Sequence, residues 1–526
     1  MNRLSTILGW MRRQWWYVSY LLVIIMSLSL FTYVQTISTF PDPDSFYHIQ
    51  MSRSIVEHGV ITEFPWLQVS TLKDAYINQH FLYHVLLIPF TEFADPILGA
   101  KFVQVMLNTA LIVLMYSLFR RHRVPFAFWF TVLLLVTTPF MFRLNLVKAP
   151  VVSLLFLFGG LYALFRYRYL TLLFISGAFV WAYGGFIVLP IAAGAYALVS
   201  IGLDWFRDVR RSFWLVISHS RELRMMAIVL AGTLAGIIIN PHFPTNLQFY
   251  WQQLVQIGVV NYQTVIPVGG EWYPYKLFDL WTQSVLVTVL AVLAAILMGL
   301  YRTYSRKQLA LFLLFIFYLA FTLKSRRYVE YYIPVTVTWI AFTVQHVLRR
   351  QTMGDIGKAV WQFATRYSVV TTILVVYFAV GVPAVVAKDL VRLRSDYMGG
   401  IPVTRFAGAG QWLSTHAQPG DIVFHSSWDE FPILFFRSPS TYYISGLDPT
   451  FTYEYSPELY RHIVDITTGK DTDKGYELIR DTFHARYVFI ESSHHAMERM
   501  AEESNGLRRA YRDDEASIYE VLPQSL

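Results

Sequence analysis

The sequence predicts a polytopic α-helical membrane protein of about 11 transmembrane helices with a C-terminal extracytoplasmic α/β domain, and three observations predict it. Apolar runs of about 15 to 25 residues alternate with short basic loops, the pattern of helices crossing a bilayer core of about 30 Å. Lys and Arg concentrate in every second loop. The last stretch of about 125 residues changes character, with short apolar strands between amphipathic helices.

The first of these rests on composition. The 526 residues are 55% hydrophobic, 17% aromatic and only 15% charged, against about 25% charged in an ordinary soluble domain. The first run, Trp15 to Ile37, is too long for a signal-peptide core and reads as a retained anchor, which leaves Met1 to Gln14, with Arg3, Arg12 and Arg13, in the cytosol. Further spans are expected near 99–119, 126–142, 150–165, 170–183, 186–203, 225–240, 282–300, 309–323, 332–348 and 367–386. An odd number with the N-terminus inside puts the tail outside. Ile77 to Phe90 is too short to span and reads as an amphipathic helix at the outer interface.

Charge supports this topology. The segments placed in the cytosol hold 20 Lys and Arg, the outer ones 9. From Ala387 onward there are 14 basic against 21 acidic residues, which leaves 29 against 14 for the membrane part. The formal charge of +8 therefore reports topology and excludes a nucleic-acid partner. With no cysteine, disulfides and thiolate metal sites are excluded too. The expected organisation is a transmembrane domain over 1–386, with a first outer loop 38–98 and a second large outer loop 240–281, a linker over 387–402 and an α/β domain over 403–526. In that tail "DIVFHS", "TYYISG", "RYVFIE" and "SIYEVL" read as strands, and "SPELYRHIVDI" and "DKGYELIRDTF" as helices.

Three constellations carry candidate chemistry. Asp42 and Asp44 precede a helix ending near Gly59. Asp44 reads as its N-cap, as a base that takes a proton from an incoming nucleophile, or as a ligand for a divalent ion. Asp42 has no evident capping role. Lys324, Arg326, Arg327 and Glu330 in "KSRRYVEYYIP", with Arg143 and Lys148 in "FRLNLVKAP", put positive charge on the side where it is scarce. One reading is headgroup binding plus an internal ion pair with Glu330; the other is a phosphate clamp, because guanidinium forks match phosphate oxygens. Aromatic and amide side chains around Asn240 to Gln253, with Glu271 and Trp272 in "PVGGEWYPY", suit sugar recognition as well as an interfacial aromatic belt. His80 and His84 have zinc-helix spacing without the general-base Glu or a third ligand, and Glu491, His494 and His495 read as surface residues.

These stretches resemble the GT-C membrane glycosyltransferases, most closely the catalytic subunit of oligosaccharyltransferase. Asp44, Phe46, Tyr47 and Arg53 occupy places matching that family's first-loop aspartate and aromatic helix. "HFLYHVLLIPF", "RRHRVP" and Arg143 follow its order, Glu271 matches a later acidic residue, Arg326 or Arg327 the outer arginine, and Trp428 and Asp429 in "VFHSSWDEFP" its Trp-Asp motif. The family's second acidic pair is replaced by "VKAP", and its five-residue acceptor motif survives only as "SWDEF".

The resemblance implies inverting transfer of a sugar from a polyprenyl phosphate or diphosphate to a protein, lipid or polysaccharide acceptor at the outer face of a plasma membrane. It implies catalytic roles for Asp44 and Asp42, and phosphate binding by Arg143, Lys148, Arg326 and Arg327. Acceptor or sugar contacts fall to Tyr47, His48, Glu271, Trp272, Trp428 and Asp429, and a Mg or Mn ion, if used, to Asp44 and Glu271. His84→Ala is expected to leave transfer intact. A non-catalytic scaffold and a lipid-linked saccharide translocase are the alternatives; most spans are too apolar for the latter.

Overall fold

A computed structural model describes residues 2–207, 213–350, 353–470 and 474–523. The chain folds into two compact units, each gathered from separated stretches: Met1–Ile37, Gln104–Ile238 and Glu271–Met398 in one, Ser38–Val103, Ile239–Gly270 and Gly399–Leu526 in the other.

The first unit is helical. Among the described residues, 6 helices are long and apolar enough to cross a membrane: Trp16–Gln35, Pro96–Arg121, Val188–Phe206, Arg221–Ile239, Arg306–Lys324 and Ser368–Met398. Two broken helices raise this to 8, Ala127–Leu135 with Thr138–Leu144 bent by 71°, and Leu277–Gln283 with Val285–Tyr301 bent by 102°. By length and composition, the described residues thus give 6 to 8 spans beside the expected count of about eleven. Pro150–Leu164 and Tyr169–Ala182 are helices of 15 and 14 residues, which at 1.5 Å per residue span only about 22 Å. Val329–Leu348 has 20 residues but is buried along almost its whole length, a core helix with few faces left for lipid.

Elsewhere the helices turn side chains such as Leu21, Ile25, Leu234, Ile238, Leu293 and Ile296 outward. Apolar exposure on this scale belongs to a hydrocarbon solvent, and the chain is a multi-pass membrane protein. Where Tyr169–Ala182 crosses Arg221–Ile239, a Cβ on Gly236 would stand 2.5 Å from the Gly177 carbonyl oxygen, so only glycine permits this close crossing.

The second unit carries the sheets. Strands β1 (Thr39–Phe40) and β2 (Ile401–Pro402) pair antiparallel. A 5-stranded mixed sheet runs in the order β4 (Tyr442–Tyr443), β3 (Ile422–His425), β5 (Tyr487–Glu491), β7 (Ala516–Val521), β6 (Leu507–Arg512), with β3 parallel to both its neighbours and the last three strands antiparallel. Phe424, Val488, Ile490 and Tyr519 pack beneath helices through Ile463, Ile466, Met497 and Met500.

Residues of the first loop extend this sheet past β4. The Gln68 and Val69 amides donate to the Tyr443 and Ile444 carbonyls at 2.8 Å, and the Tyr443 amide donates to Trp66 O at 2.8 Å. The loop is therefore an integral part of this unit. Residues 387–402, expected as a linker, continue the helix to Met398 and then enter β2.

Candidate active site

The break between Ala127–Leu135 and Thr138–Leu144 places Arg143 at the end of a short helix that starts with Pro139 in its first turn. Glu271 lies in the 3-10 turn Gly270–Trp272, and Arg327 in the turn Arg326–Tyr328. Two bonds hold these turns together: Ser325 Oγ donates to Glu271 O at 2.9 Å and the Arg326 amide to Tyr273 O at 2.9 Å.

A partly buried charge network results. Arg143 donates to Glu271 at 2.6 Å through Nη1, and to one oxygen of Glu330 at 3.1 and 2.9 Å through Nε and Nη2. Arg327 donates to the other Glu271 oxygen at 2.7 Å and to the Tyr183 hydroxyl at 2.9 Å, while its guanidinium lies 4.9 Å from the centre of the Trp272 ring. Arg143 is 9% exposed and Glu330 1%. Burial raises the Glu271 carboxyl, but Arg327, Arg143 and Lys148 outweigh it and hold the group well below the usual carboxylate range.

Of the four basic residues expected as a clamp, Arg143, Lys148 and Arg327 thus act on one carboxylate. Arg326 does not. Successive residues of a 3-10 turn point about 120° apart, and Arg326 is exposed, with Nε on Pro274 O at 3.2 Å. Each oxygen of Glu271, expected as a metal ligand, accepts from a guanidinium, so a divalent cation there would compete with Arg143 and Arg327 for the carboxylate. Its place is that of a counter-ion. With three cations against Glu271 and Glu330, the network keeps a net positive charge in a partly buried setting, where a phosphate oxyanion is attracted. Sequence reasoning missed Tyr183, whose only signal was the helix-ending "YGG".

In the second unit the helix begins at Asp44 itself, with Pro43 at the N-cap position. The cap is supplied by the other aspartate: Asp42 Oδ1 accepts the Asp44 amide at 2.9 Å. Asp42, for which no capping role was evident, thus opens the helix, and Asp44, expected as the N-cap, is its first residue.

Tyr47 and His48, expected to contact substrate, are buried inside the unit. The Tyr47 and Tyr76 hydroxyls are 2.5 Å apart, and His48 Nδ1 lies 2.8 Å from His84 Nε2. Asn78 Oδ1 accepts from the His80 amide at 3.2 Å and from His84 Nδ1 at 2.9 Å. The backbone donor fixes the Asn78 amide. His84 must then be protonated on Nδ1 and accept at Nε2, so His48 donates from Nδ1.

His84 is consequently a structural residue rather than a silent one. Its removal strands buried groups on both sides, at a cost of about 1–3 kcal/mol each. Burial pushes its imidazole down to about 3 from the ordinary 6.5. The unfolded chain therefore binds this proton first, so the stability the group contributes is complete above about pH 6.5 and is lost as pH falls toward 3. Unfolding midpoints measured downward from neutral pH are expected to fall more steeply for the wild type than for His84→Gln; parallel profiles would remove His84 as the titrating group.

Ser427 caps the turn Trp428–Glu430 through a capping box with Glu430. Trp428 is half-buried, and Asp429 is exposed and accepts from Ser427 Oγ. Among the described residues, Glu430, Glu491 and His494 bring one ligand atom each to within 4.8 Å of one another. These carboxylates are also engaged, Glu430 by Ser426 Oγ and the Ser427 amide, Glu491 by Arg405.

No family model matches the sequence, and no curated protein matches it. Solved structures do match in fold. The oligosaccharyltransferase of Archaeoglobus fulgidus is 12% identical, with a TM-score of 0.59 over 96% of this chain and 75% of that one. ArnT from Cupriavidus metallidurans, bound to undecaprenyl phosphate, is 14% identical, with a TM-score of 0.53 over 95% of this chain and 97% of that one. The mycobacterial arabinofuranosyltransferase AftD is 13% identical with a TM-score of 0.50; the match covers 97% of this chain and 40% of AftD. All three are GT-C glycosyltransferases, and their fold is the fold of this chain.

Proposed function

We propose that this chain is a GT-C glycosyltransferase that moves a sugar from a polyprenyl phosphate or diphosphate to an acceptor, with inversion at the anomeric carbon. The observation that carries the reading is the fold shared with ArnT over nearly the full length of both chains, ArnT being a protein that binds undecaprenyl phosphate. In this reading the acceptor hydroxyl or amide attacks the anomeric carbon, the carbon–oxygen bond to phosphate breaks, and the electron pair leaves with the phosphate. Arg143, Lys148 and Arg327 stabilise that departing charge. Asp44 orients the acceptor and takes its proton. Trp428 and Asp429 are assigned to the acceptor. Chemistry is placed at the outer face of a plasma membrane, with the N-terminus cytosolic and the tail outside, because the basic loops favour that orientation.

The test is mass spectrometry of lipid-linked saccharides and surface glycoconjugates in cells with and without the gene. Accumulation of one polyprenyl-linked sugar together with loss of a matching glycoconjugate is expected. Loss of the glycoconjugate without accumulation of its donor, or unchanged profiles, would turn the reading toward a scaffold.

A further inference from the structure

A second cluster of cations occurs in the helical unit, built from four separate helix ends. His122 follows the helix Pro96–Arg121, Arg166 the helix Pro150–Leu164, and Arg349 the helix Val329–Leu348, while Lys307 lies in the first turn of Arg306–Lys324. Lys307 Nζ donates to His122 Nδ1 at 3.2 Å and stands 5.3 Å from the centre of the Phe165 ring. Arg349 Nη2 donates to His122 O at 3.3 Å, a carbonyl that Gln345 Nε2 also reaches. Because Nδ1 accepts from an ammonium, the imidazole proton sits on Nε2, which is buried with no partner among the described residues. Burial, with Lys307, Arg166 and Arg349, pushes the imidazole down to about 3.

The neighbouring Arg306 shows how this unit normally settles a charge. It donates to both oxygens of Asp204 at 2.7 and 2.9 Å and to Glu222 at 2.6 Å. Lys307 has no carboxylate among the described residues, and Arg349 and Arg166 repel it. It also occupies the helix end where the peptide dipoles disfavour a cation and favour an anion. Three unfavourable terms coincide at one half-buried ammonium. An anion would reverse all three. The surroundings identify its carrier: Phe126, Trp129, Tyr169 and Leu170, at the starts of the helices Ala127–Leu135 and Tyr169–Ala182 that follow two of these ends, are exposed, an aromatic and apolar fringe of the kind found at headgroup depth.

We infer that Arg166, Lys307 and Arg349 form a binding site for the phosphate of an anionic phospholipid headgroup, with His122 positioning Lys307. The lipid's phosphate takes the Lys307 ammonium and the two guanidiniums, while His122 Nδ1 holds the ammonium in place. Its acyl chains lie along the apolar helices.

The experiment is native mass spectrometry of the full-length protein, delipidated in detergent and titrated with phosphatidylglycerol or with phosphatidylcholine of the same acyl chains. One phosphatidylglycerol is expected to be retained in preference to phosphatidylcholine. Affinity should fall about fivefold or more in Lys307→Gln, at about 1 kcal/mol per basic contact, be kept in Lys307→Arg and be unchanged in Arg121→Gln, an exposed residue outside the cluster. Arg166→Gln, whose side chain is exposed, carries the same test should Lys307→Gln fail to fold. Equal retention of the two lipids, or equal weakening in Arg121→Gln, would overturn the site. Displacement of the lipid by sodium phosphate would make it a site for a soluble anion and overturn the lipid assignment.

Discussion

Arg327→Ala is expected to lower the rate of sugar transfer by about 10²–10³-fold, the usual cost of removing one preorganised donor from a developing oxyanion. The substitution removes the cation that links Glu271 to Tyr183 and lies over Trp272. It also leaves half of the Glu271 charge facing the place where the phosphate must gather negative charge. Lysine should restore little, because one ammonium does not reproduce the fork that holds a carboxylate and a phenol together. Arg326→Ala is the matched control. Its side chain is exposed on the adjacent position, and rates within about twofold of wild type are expected. Initial rates on purified protein at saturating donor decide the matter; Arg327→Ala retaining half of wild-type turnover would dismiss the phosphate role.

Asp44→Asn is the second large effect, with a loss of about 10²–10⁴-fold, the range for a general base. Thermal midpoints measured beside the rates separate this prediction from a folding defect. Asp42 accepts the backbone amide that opens the helix, so Asp42→Ala should cost about 1 kcal/mol of stability while keeping most of the turnover at temperatures where the protein is folded. If Asp44→Asn turned over normally, the base would have to be sought elsewhere; if it lost stability in step with activity, a structural role would suffice.

Much of the architecture was legible because it is written in local pattern. Apolar runs gave the membrane helices, and short apolar stretches coincide with β3, β4, β5 and β7. The strand β6 was invisible, since Arg508, Arg509 and Arg512 give an edge strand none of the alternation that marks a half-buried one. The break at Thr137 was missed because apolar residues continue through it on both sides. In the site, the residue types were readable and their partners were not. Arg143 and Glu271 are 128 residues apart, and periodicity carries no information at that range. The structural role of His84 was unreadable for a related reason: a spacing of four does not say what the imidazoles meet, and only the fold shows Asn78 and His48 on either side.

The strand-like contact of Leu67 with Tyr443 has a temporal side. The ribosome makes these two residues far apart in time, and at about 5–20 residues per second the gap is some tens of seconds. Throughout that interval Phe46, Tyr47 and Phe64 lack the part of their cover that Phe436, Phe435 and Phe431 later supply. A nascent chain must therefore carry a partly uncovered aromatic segment until its last quarter emerges, and a message cut short before Gly399 would yield a product whose early loop never finds its other half. Quality-control proteases would read that loop as the mark of an unfinished protein.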